Sequence, residues 1–531
     1  MRWYSFYPKL KNQIGKWRIL FLIFMAGYLG FLLLNLGYMA IQWDEANHLN
    51  GGLLLFHGQF EEYMTSSMFY PPLYDLIQAG YFAIAGPSVF VGRLTTVTFA
   101  ALCVWVVFEF VYRTYGPRTA LVSSILLGTM PGFVWISRVA MIETTLNFFL
   151  SASMILFFLW LQKHDDKILI LSGIALGLGF LAKYQIVVAV LAMFVSIFLL
   201  CRGYLKAKLA RLPLLILTAV VVVLPWIIIA YQVYSTGILS QWLYAVNVGN
   251  PQKSVYSMRF PTPVFYLIEM TWPYGVVHPI SLFVYAFGLL GLGLFIWRRK
   301  PEDKFLLVWF FTIYVFFTAI GNRQWRYVLP IFPVLAVSGA SLISFVFEKI
   351  HNNWKKTEIS STRIRLGKVA AGCLIAIVVF SVVYSCVDVN NWIAKDNVFN
   401  LPSDQAAEYA VARLGDNESL VVLCPINVFS ADIVKFYVDV TNQKKQICVW
   451  QYPELPVDTY KPIFNLDELI SMCVVYNAEY LLLFEYGETY PYFDTNLTME
   501  IVKGMLMSSQ RFSCQAAFGN YPSRIYVLSF A

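Results

Sequence analysis

Charged residues are scarce in this sequence: Asp, Glu, Lys and Arg make up 13% of its 531 residues, while hydrophobic residues make up 59%. In soluble globular domains about a quarter of the residues are charged. The scarcity therefore excludes an ordinary soluble protein. It predicts a polytopic α-helical protein of the cell membrane, surrounded by membrane lipids.

Several motifs are absent as well. The sequence contains no CxxC pair, no Cys/His spacing typical of a metal site, no GxGxxG and no P-loop. We therefore expect neither a zinc site nor a nucleotide site. Eight cysteines are spread along the chain. Four lie in the C-terminal part, where their spacing identifies no disulfide: Cys424, Cys448, Cys473 and Cys514.

Apolar runs long enough to cross a bilayer recur over the first three quarters of the chain, and they predict about eleven transmembrane helices. The runs cover residues 19–41, 88–112, 119–136, 144–162, 168–182, 184–201, 212–234, 279–297, 305–320, 327–347 and 369–388. Lys and Arg are concentrated in alternate connecting segments, so the positive-inside rule places the N-terminus in the cytoplasm. The net charge of +8 follows from this bias, and we expect no nucleic-acid partner.

The first outer loop, residues 42–87, is long and contains no Lys or Arg. Two amphipathic, aromatic-rich stretches within it, LNGGLLLFHG and PPLYDLIQAGYFAIAG, predict short interfacial helices rather than further spans. A second outer segment, residues 235–277, is also rich in aromatic residues. Loops of this length in a membrane protein usually carry function.

The composition changes after the last apolar run. From about residue 400, helix and strand patterns alternate and end in a hairpin, which predicts a small α/β domain with a largely parallel sheet. We therefore divide the chain into a transmembrane region, residues 1–390, and an extracytoplasmic α/β domain, residues 391–531. Asn417 and Asn496 lie in glycosylation sequons on the expected outer side.

Asp44 and Glu45 directly follow the first apolar run. One carboxylate could act as a general base for an incoming nucleophile, and the alternative is that both are a solvated stop to the first span. His48 follows Asp44 by one helical turn. A divalent metal is an open alternative here, but two ligands are a weak signal, and a hydrogen-bonded His48 is the simpler interpretation.

Further charges are expected near the outer surface, where basic residues are disfavoured. Arg138 and Glu143 bracket a predicted turn: they could enter the same cavity as Asp44 or form an ion pair that caps the hairpin. Lys183, Arg323 and Arg326 precede apolar runs, and Arg93 is similar. These cations could hold a lipid phosphate or only contact headgroups.

The ordered set WDEANH, YPPL, GRLTT, RVAMIETTL, FLAKYQ and RYVLPIFPVLA resembles membrane glycosyltransferases of the C superfamily. The likeness is greatest to the branch with protein O-mannosyltransferases and lipid A aminoarabinose transferases, and it covers about residues 1–350. It implies inverting transfer of a sugar from a polyprenyl-phosphate or dolichyl-phosphate donor to a hydroxyl of a lipid, glycan or protein acceptor. Mannose is the sugar that the resemblance suggests.

The resemblance also implies roles for individual residues. Asp44 matches the essential acid of the first loop and Glu143 the acid of the second loop, so both are predicted to be catalytic. The predicted donor-phosphate contacts are Lys183, Arg326, Arg93 and Arg138. The predicted substrate contacts are Glu45, His48, Tyr70 and Tyr327. No resident metal is assigned.

Two departures from the family matter. The second-loop acid is often Asp in the family and is Glu here. Tyr70 stands before the Pro pair where the aminoarabinose enzymes have Lys, which disfavours an aminoarabinose donor. The eukaryotic mannosyltransferases carry a lectin domain that this sequence lacks, so a protein acceptor is not the default expectation.

Two rival functions use the same features. In a transporter or flippase of lipid-linked sugars the cations would bind the donor and nothing would react, although the sequence shows no pair of matching halves. A non-catalytic surface protein would use the α/β domain as its binding module.

Overall fold

The computed structural model describes residues 11–66, 70–237, 239–240, 258–271, 278–354, 361–397, 401–426, 428–442, 445–453, 464–485, 498–521 and 523–531. Much of the second aromatic-rich outer segment and Asn496 lie outside these residues. The described chain is mostly helical up to residue 397 and mixed helix and strand beyond it.

The helices follow the apolar runs of the sequence. In chain order they are α1 (Lys11–Leu33), α2 (Trp43–Phe56), α3 (Phe60–Ser66), α4 (Leu73–Ala85), α5 (Val89–Thr114), α6 (Pro117–Gly128), α7 (Pro131–Ile136), α8 (Glu143–Lys163), α9 (Asp166–Ala182), α10 (Val187–Leu200), α11 (Leu205–Leu209), α12 (Leu212–Tyr234), α13 (Phe265–Glu269), α14 (Leu282–Arg298), α15 (Pro301–Ala319), α16 (Phe332–Trp354), α17 (Ser361–Asn397), α18 (Ser403–Val411), α19 (Ala431–Thr441), α20 (Leu466–Val475) and α21 (Met499–Ser508).

Six helical stretches among the described residues are long and apolar enough to cross a membrane, or seven if a bent pair is counted as one span. The bent pair, Tyr184–Leu200 and Arg202–Leu209, turns by 98°. The run at 119–136 is divided into α6 and α7 because Pro131 begins a new helix. The protein is thus a membrane protein with several apolar helices, and the count of eleven spans stays a prediction.

The described part of the first outer loop contains three short helices; α2 and α4 overlap the two stretches predicted to be helical, and α3 was not predicted. With 14 residues, α2 is about 21 Å long at 1.5 Å per residue, too short to cross a bilayer. The backbone N–H of Gln42 donates to Glu45 Oε2 at 3.1 Å, which satisfies one of the free amides where α2 begins. A Cβ at Gly51 would lie 3.0 Å from Asp75 Oδ2, so glycine there allows α2 to pack closely against α4.

The C-terminal region contains a five-stranded sheet in the order β2-β1-β3-β5-β4. The strands are β1 (Ser419–Leu423), β2 (Cys448–Tyr452), β3 (Ala478–Phe484), β4 (Phe512–Phe518) and β5 (Ile525–Phe530). The predicted order of helices and strands is observed. The prediction of a largely parallel sheet is wrong in part: β1 is parallel to β2 and β3, but β5 is antiparallel to both neighbours. The β4–β5 hairpin requires antiparallel pairing only between its own two strands.

The sheet region has its own hydrophobic core, separate from the core of the helical region. A third, smaller cluster joins the two regions, in which Ile433 and Phe436 of α19 pack with Leu49 and Leu53 of α2. Asn50 Nδ2 also donates to the backbone oxygen of Asp432 at 2.8 Å. The C-terminal region therefore packs directly against the helix that carries Asp44.

Candidate active site

Helix α2 presents its acidic pair in two different directions. Asp44 lies in the first turn and retains 44% of its side-chain exposure, whereas the Glu45 side chain is fully buried. Adjacent residues on a helix are about 100° apart, while residues four apart share a face. Asp44 and His48 therefore lie on one face and Glu45 on another.

Three charged side chains from three other parts of the chain converge beside Asp44. We call Asp44, Glu143, Lys183 and Arg326 the outer charge cluster. Arg326 Nη2 donates to Asp44 Oδ2 at 2.6 Å, and Arg326 Nε lies 3.7 Å from Glu143 Oε1. Lys183 Nζ donates to the same Glu143 oxygen at 2.9 Å. Two acids and two cations are thus joined in one chain of contacts.

Local backbone structure explains how the two cations reach the cluster. Helix α9 ends at Ala182, and Lys183 is extended, with φ −159° and ψ 126°, before a 3-10 turn begins at Tyr184. Arg326 lies in a second 3-10 segment, Trp325–Ile331, which contains Pro330. Both breaks turn the chain between helices and place a cation at the end of the helical bundle instead of within it.

Glu143 is the first residue of α8, and it is only partly satisfied. Its Oε2 is buried and has no hydrogen-bond partner among the described residues, whereas Oε1 contacts both cations of the cluster. One turn further along α8, both polar atoms of the Asn147 amide are also buried and lack a partner within the described part of the chain. Unpaired buried acceptors are costly, so this end of α8 is suited to receive hydrogen-bond donors of a ligand.

Arg93 forms a closed arrangement with Glu45. Its Nε and Nη2 donate to the two carboxylate oxygens at 2.6 and 2.8 Å, and both side chains are fully buried. Nη1 donates to the carbonyl oxygens of Leu36 and Met39, at 2.7 and 3.0 Å. Glu45 Oε1 also accepts the backbone N–H of Ala140 at 2.7 Å. We call Glu45 and Arg93 the anchor pair. Because both side chains are buried and bonded to each other and to backbone groups, their surroundings do not fit the predicted phosphate contact of Arg93 or the predicted substrate contact of Glu45.

Arg138 is held in a similar way. Its Nη1 donates to the carbonyl oxygens of Phe31 and Leu32, and Nη2 donates to that of Leu34. Its Nε contacts the sulfur of Met39 at 3.2 Å. Because helix α1 ends at Leu33 with unsatisfied carbonyl groups, Arg138 caps it. The predicted phosphate contact does not fit this cage, and the predicted ion pair with Glu143 is replaced by the pair of Glu143 with Lys183.

His48 is buried and bonded to a residue that the sequence patterns did not single out. Its Nδ1 lies 3.0 Å from Asp75 Oδ1, and the hydroxyl of Tyr63 donates to Asp75 Oδ2 at 3.0 Å. The ring of Tyr70 lies 4.9 Å from the ring of His48. Burial, followed by the nearby Asp44 carboxylate, raises the pKa of the Tyr70 hydroxyl above its usual range. These rings therefore connect His48 to the outer charge cluster.

Tyr327 covers the cations of the cluster. The ring centroid lies 5.5 Å from Lys183 Nζ and 5.9 Å from the guanidinium carbon of Arg326. Such contacts stabilise cations that have lost solvent. Tyr70 and Tyr327 are thus brought to the cluster, as the prediction that they contact substrate requires.

Metal-binding geometry is not evident at this site. No group of three or more His, Cys, Asp or Glu side chains able to hold a metal ion occurs among the residues that the structure describes. The Nδ1 atom of His48, a potential ligand, is already bonded to Asp75.

A separate cavity of 310 Å³ lies in the sheet region. It is lined in part by Glu485, Glu500 and Lys503, and no member of the outer charge cluster lines it.

The sequence patterns missed Asp75, Tyr63 and Asn147. Asp75 and Tyr63 occur in the long loop that was expected to be functional, but spacing alone could not pair them with His48, because they lie on three different helices. Asn147 follows Glu143 by four residues on a predicted helix. This spacing, which puts both side chains on one face, was the available signal.

The fold is shared with solved membrane glycosyltransferases. The structure superposes on ArnT from Cupriavidus metallidurans bound to undecaprenyl phosphate with a TM-score of 0.64, at 13% sequence identity, over 97% of this chain and 98% of that one. It also superposes on the oligosaccharyltransferase AglB from Archaeoglobus fulgidus, in complex with an inhibitory peptide and a dolichol-phosphate, with a TM-score of 0.57, at 12% identity, over 95% of this chain and 74% of that one. At these identities the likeness shows the fold.

Sequence comparison is consistent with that fold. Residues 70–229 match the family described as dolichyl-phosphate-mannose-protein mannosyltransferase. The undecaprenyl phosphate-alpha-4-amino-4-deoxy-L-arabinose arabinosyl transferase of Yersinia enterocolitica is 26% identical over 224 residues, which are 41% of this chain and 38% of that protein. That of Aeromonas hydrophila is 23% identical over 48% of this chain and 46% of that protein. The chain thus matches less than half the length of these curated relatives, and the resemblance to C-superfamily glycosyltransferases is confirmed.

Proposed function

We propose that the protein is an inverting glycosyltransferase that moves a sugar from a polyprenyl-phosphate donor to an acceptor hydroxyl. The observation that carries this proposal is the outer charge cluster, in which a partly exposed Asp44 lies 2.6 Å from Arg326 beside Glu143 and Lys183. A base for the acceptor and cations for a phosphate leaving group are the two requirements of this reaction.

The proposed reaction is a single displacement. Asp44 takes the proton of the acceptor hydroxyl, whose oxygen attacks C1 of the sugar from the face opposite the phosphate. The new C1–oxygen bond forms as the C1–O–phosphate bond breaks, and the polyprenyl phosphate leaves with the electron pair. Lys183 and Arg326 stabilise the charge of this leaving phosphate.

The contact between Asp44 and Arg326 implies an order of events. Arg326 cannot bind a donor phosphate at full strength while Nη2 is bonded to Asp44. A bound phosphate would compete for that guanidinium and release Asp44 toward the acceptor. Glu143 would stay with Lys183 and offer Oε2, which lacks a partner among the described residues, to a substrate hydroxyl.

Similar proteins support this function. The names of the structural and sequence relatives refer to undecaprenyl phosphate, dolichol-phosphate and dolichyl-phosphate-mannose, all of which are polyprenyl carriers or donors. These are group-transfer enzymes, so the comparisons favour transfer over the transporter or flippase alternative.

We assign the C-terminal sheet region to the extracytoplasmic side, together with the site, because this region packs on α2.

We propose a neutral sugar such as mannose as the donor sugar, because Tyr70 stands before the Pro pair where the aminoarabinose enzymes have Lys. Tyr70 contacts the His48 ring at 4.9 Å between centroids, and it offers a hydroxyl and an aromatic face. Comparing mannosyl and aminoarabinosyl undecaprenyl phosphates as donors tests this choice, and preferential use of the amino sugar would refute it.

The decisive experiment uses purified protein in proteoliposomes with mannosyl-phosphoryl undecaprenol and native membrane extract as the acceptor source. Asp44→Asn should lower donor consumption by about 10²–10⁴-fold, because general-base catalysis contributes that much. Glu479→Gln, at an exposed acid of β3, is the matched control and should leave the rate unchanged. Full turnover by Asp44→Asn refutes the mechanism, and donor translocation without consumption supports the transporter.

A further inference from the structure

The loop helices contain a hydrogen-bonded series that the proposed mechanism does not use. Asp75 of α4 accepts at Oδ1 from His48 of α2, and at Oδ2 from the hydroxyl of Tyr63 of α3, both at 3.0 Å. All three residues are buried. Since both carboxylate oxygens are engaged from two sides, the series holds the imidazole in one orientation.

The chemistry of the pair defines which nitrogen carries the proton. A carboxylate only accepts hydrogen bonds, so Nδ1 is a protonated nitrogen beside Asp75. When the ring is neutral, Nε2 is therefore an acceptor. Among the described residues, Nε2 has no hydrogen-bond partner. The ring is also confined between Tyr70 and Tyr74, with centroids at 4.9 and 5.2 Å.

The position of His48 brings that acceptor to the proposed reaction site. His48 follows Asp44 by four residues on α2 and shares its face. Tyr70, which contacts the His48 ring, interacts electrostatically with Asp44, Arg326 and Glu143.

Gly51 on α2 leaves room for Asp75 of α4. A Cβ at Gly51 would lie 3.0 Å from Asp75 Oδ2 and 3.3 Å from the Tyr63 ring. The close approach of α2 to α4 is therefore needed for the pair to form.

We propose that Asp75 is a positioning residue that orients His48, so that Nε2 accepts a hydrogen bond from a substrate hydroxyl beside Asp44. The inference rests on the proposed transferase function and deepens it. The hydroxyl could belong to the donor sugar or to the acceptor, because both meet at Asp44.

The experiment measures two affinities and one rate on full-length protein in proteoliposomes. The affinities are those for mannosyl-phosphoryl undecaprenol and for undecaprenyl phosphate without sugar. The rate is donor turnover at saturating donor. Asp75→Asn keeps the shape of the side chain but can donate to Nδ1 and so reverse the tautomer. His48→Phe keeps the aromatic contacts and removes both nitrogens.

If the hydroxyl is on the donor sugar, both variants should weaken binding of the mannosyl lipid by about tenfold, the loss expected for one hydrogen bond, and leave the bare lipid unchanged. If it is on the acceptor, both affinities should stay constant while turnover falls by a similar factor. In either case, adding Asp75→Asn to His48→Phe should have no further effect, because Asp75 acts through His48.

Three results would overturn the inference. Asp75→Asn could match wild type in both affinities and in turnover, or the two substitutions could add independently, or the bare lipid could be weakened as much as the mannosyl lipid. Tyr63→Phe provides a milder variant if Asp75→Asn does not fold, and it should reduce the same quantity by a smaller factor. Wild-type protein that neither binds nor consumes the mannosyl lipid refutes the proposed function itself, whereas an active wild type with an indifferent Asp75→Asn refutes only this inference.

Discussion

The anchor pair and the outer charge cluster start from adjacent residues, Glu45 and Asp44, yet they are built in opposite ways. Glu45 and Arg93 are fully buried, and backbone groups satisfy their remaining hydrogen bonds. Asp44 is partly exposed, and one oxygen of Glu143 has no hydrogen-bond partner within the part of the chain that the structure describes. A satisfied buried pair holds helices in place, while a partly satisfied cluster is able to exchange partners with a ligand.

The largest expected effect is on the anchor pair. Glu45→Gln should destabilise the protein by about 3–5 kcal/mol, because it leaves the Arg93 guanidinium buried without its counter-charge. Thermal unfolding in detergent, monitored as the loss of the monodisperse species, measures this change in stability. Asp44→Asn is the control and should shift unfolding far less, since its ion pair is partly solvated. Equal destabilisation by both variants would remove the distinction between the two sites.

A smaller effect is expected from the cation of the outer charge cluster. Lys183→Met should reduce turnover by about 10²-fold, the scale for removing one group that stabilises transition-state charge. It should leave the protein folded, because Arg326 still lies 3.7 Å from Glu143. Turnover in proteoliposomes at saturating donor checks this, with Lys163→Met, at an exposed cation in the last turn of α8, as the control. Unchanged turnover would exclude Lys183 from the reaction.

A second satisfied pair sharpens the comparison. Asp303 is buried and accepts from Arg298 at 2.6 and 2.7 Å and from the hydroxyl of Tyr115 at 2.8 Å. Asp303→Asn should lower the free energy of unfolding by about 1–3 kcal/mol, because one acceptor becomes a donor facing donors. Activity per folded molecule should not change, and a selective loss of turnover would contradict a purely structural role.

The smallest effect concerns the contact between α19 and the loop helices. Burial raises the pKa of Asp439 from its ordinary value of 3.8 to about 6; attraction by Lys435 opposes the shift and Glu62 adds to it. The folded state thus keeps this proton after the unfolded chain has released it, so stability falls as pH rises from about 4 to 6. Hydrogen exchange of the α19 amides should show this loss in wild type and a smaller one in Asp439→Asn. An identical pH dependence would dismiss Asp439 as its origin.

Much of the site could be predicted because spans, loops and charges are local properties of the sequence. The long loop without basic residues identified the region of Asp44 and His48, and the breaks between apolar runs located Lys183 and Arg326. The resemblance to the glycosyltransferases then predicted that these positions belong to one site. The sequence could not place Arg93 and Arg138, because a cation at a span end suits a phosphate and a set of helix-end carbonyls equally well. Only the distances in the structure show both guanidinium groups bonded to carbonyl oxygens.

The sequence by itself determined the membrane environment, the helices of the first loop and the order of elements in the C-terminal region, since hydrophobic periodicity and helix ends depend on neighbours in the chain. Only the tertiary structure decided the partners. Glu45 pairs with Arg93, Asp44 with Arg326 and His48 with Asp75. Each pair joins two separate helical segments, which meet only when the apolar faces around them are packed.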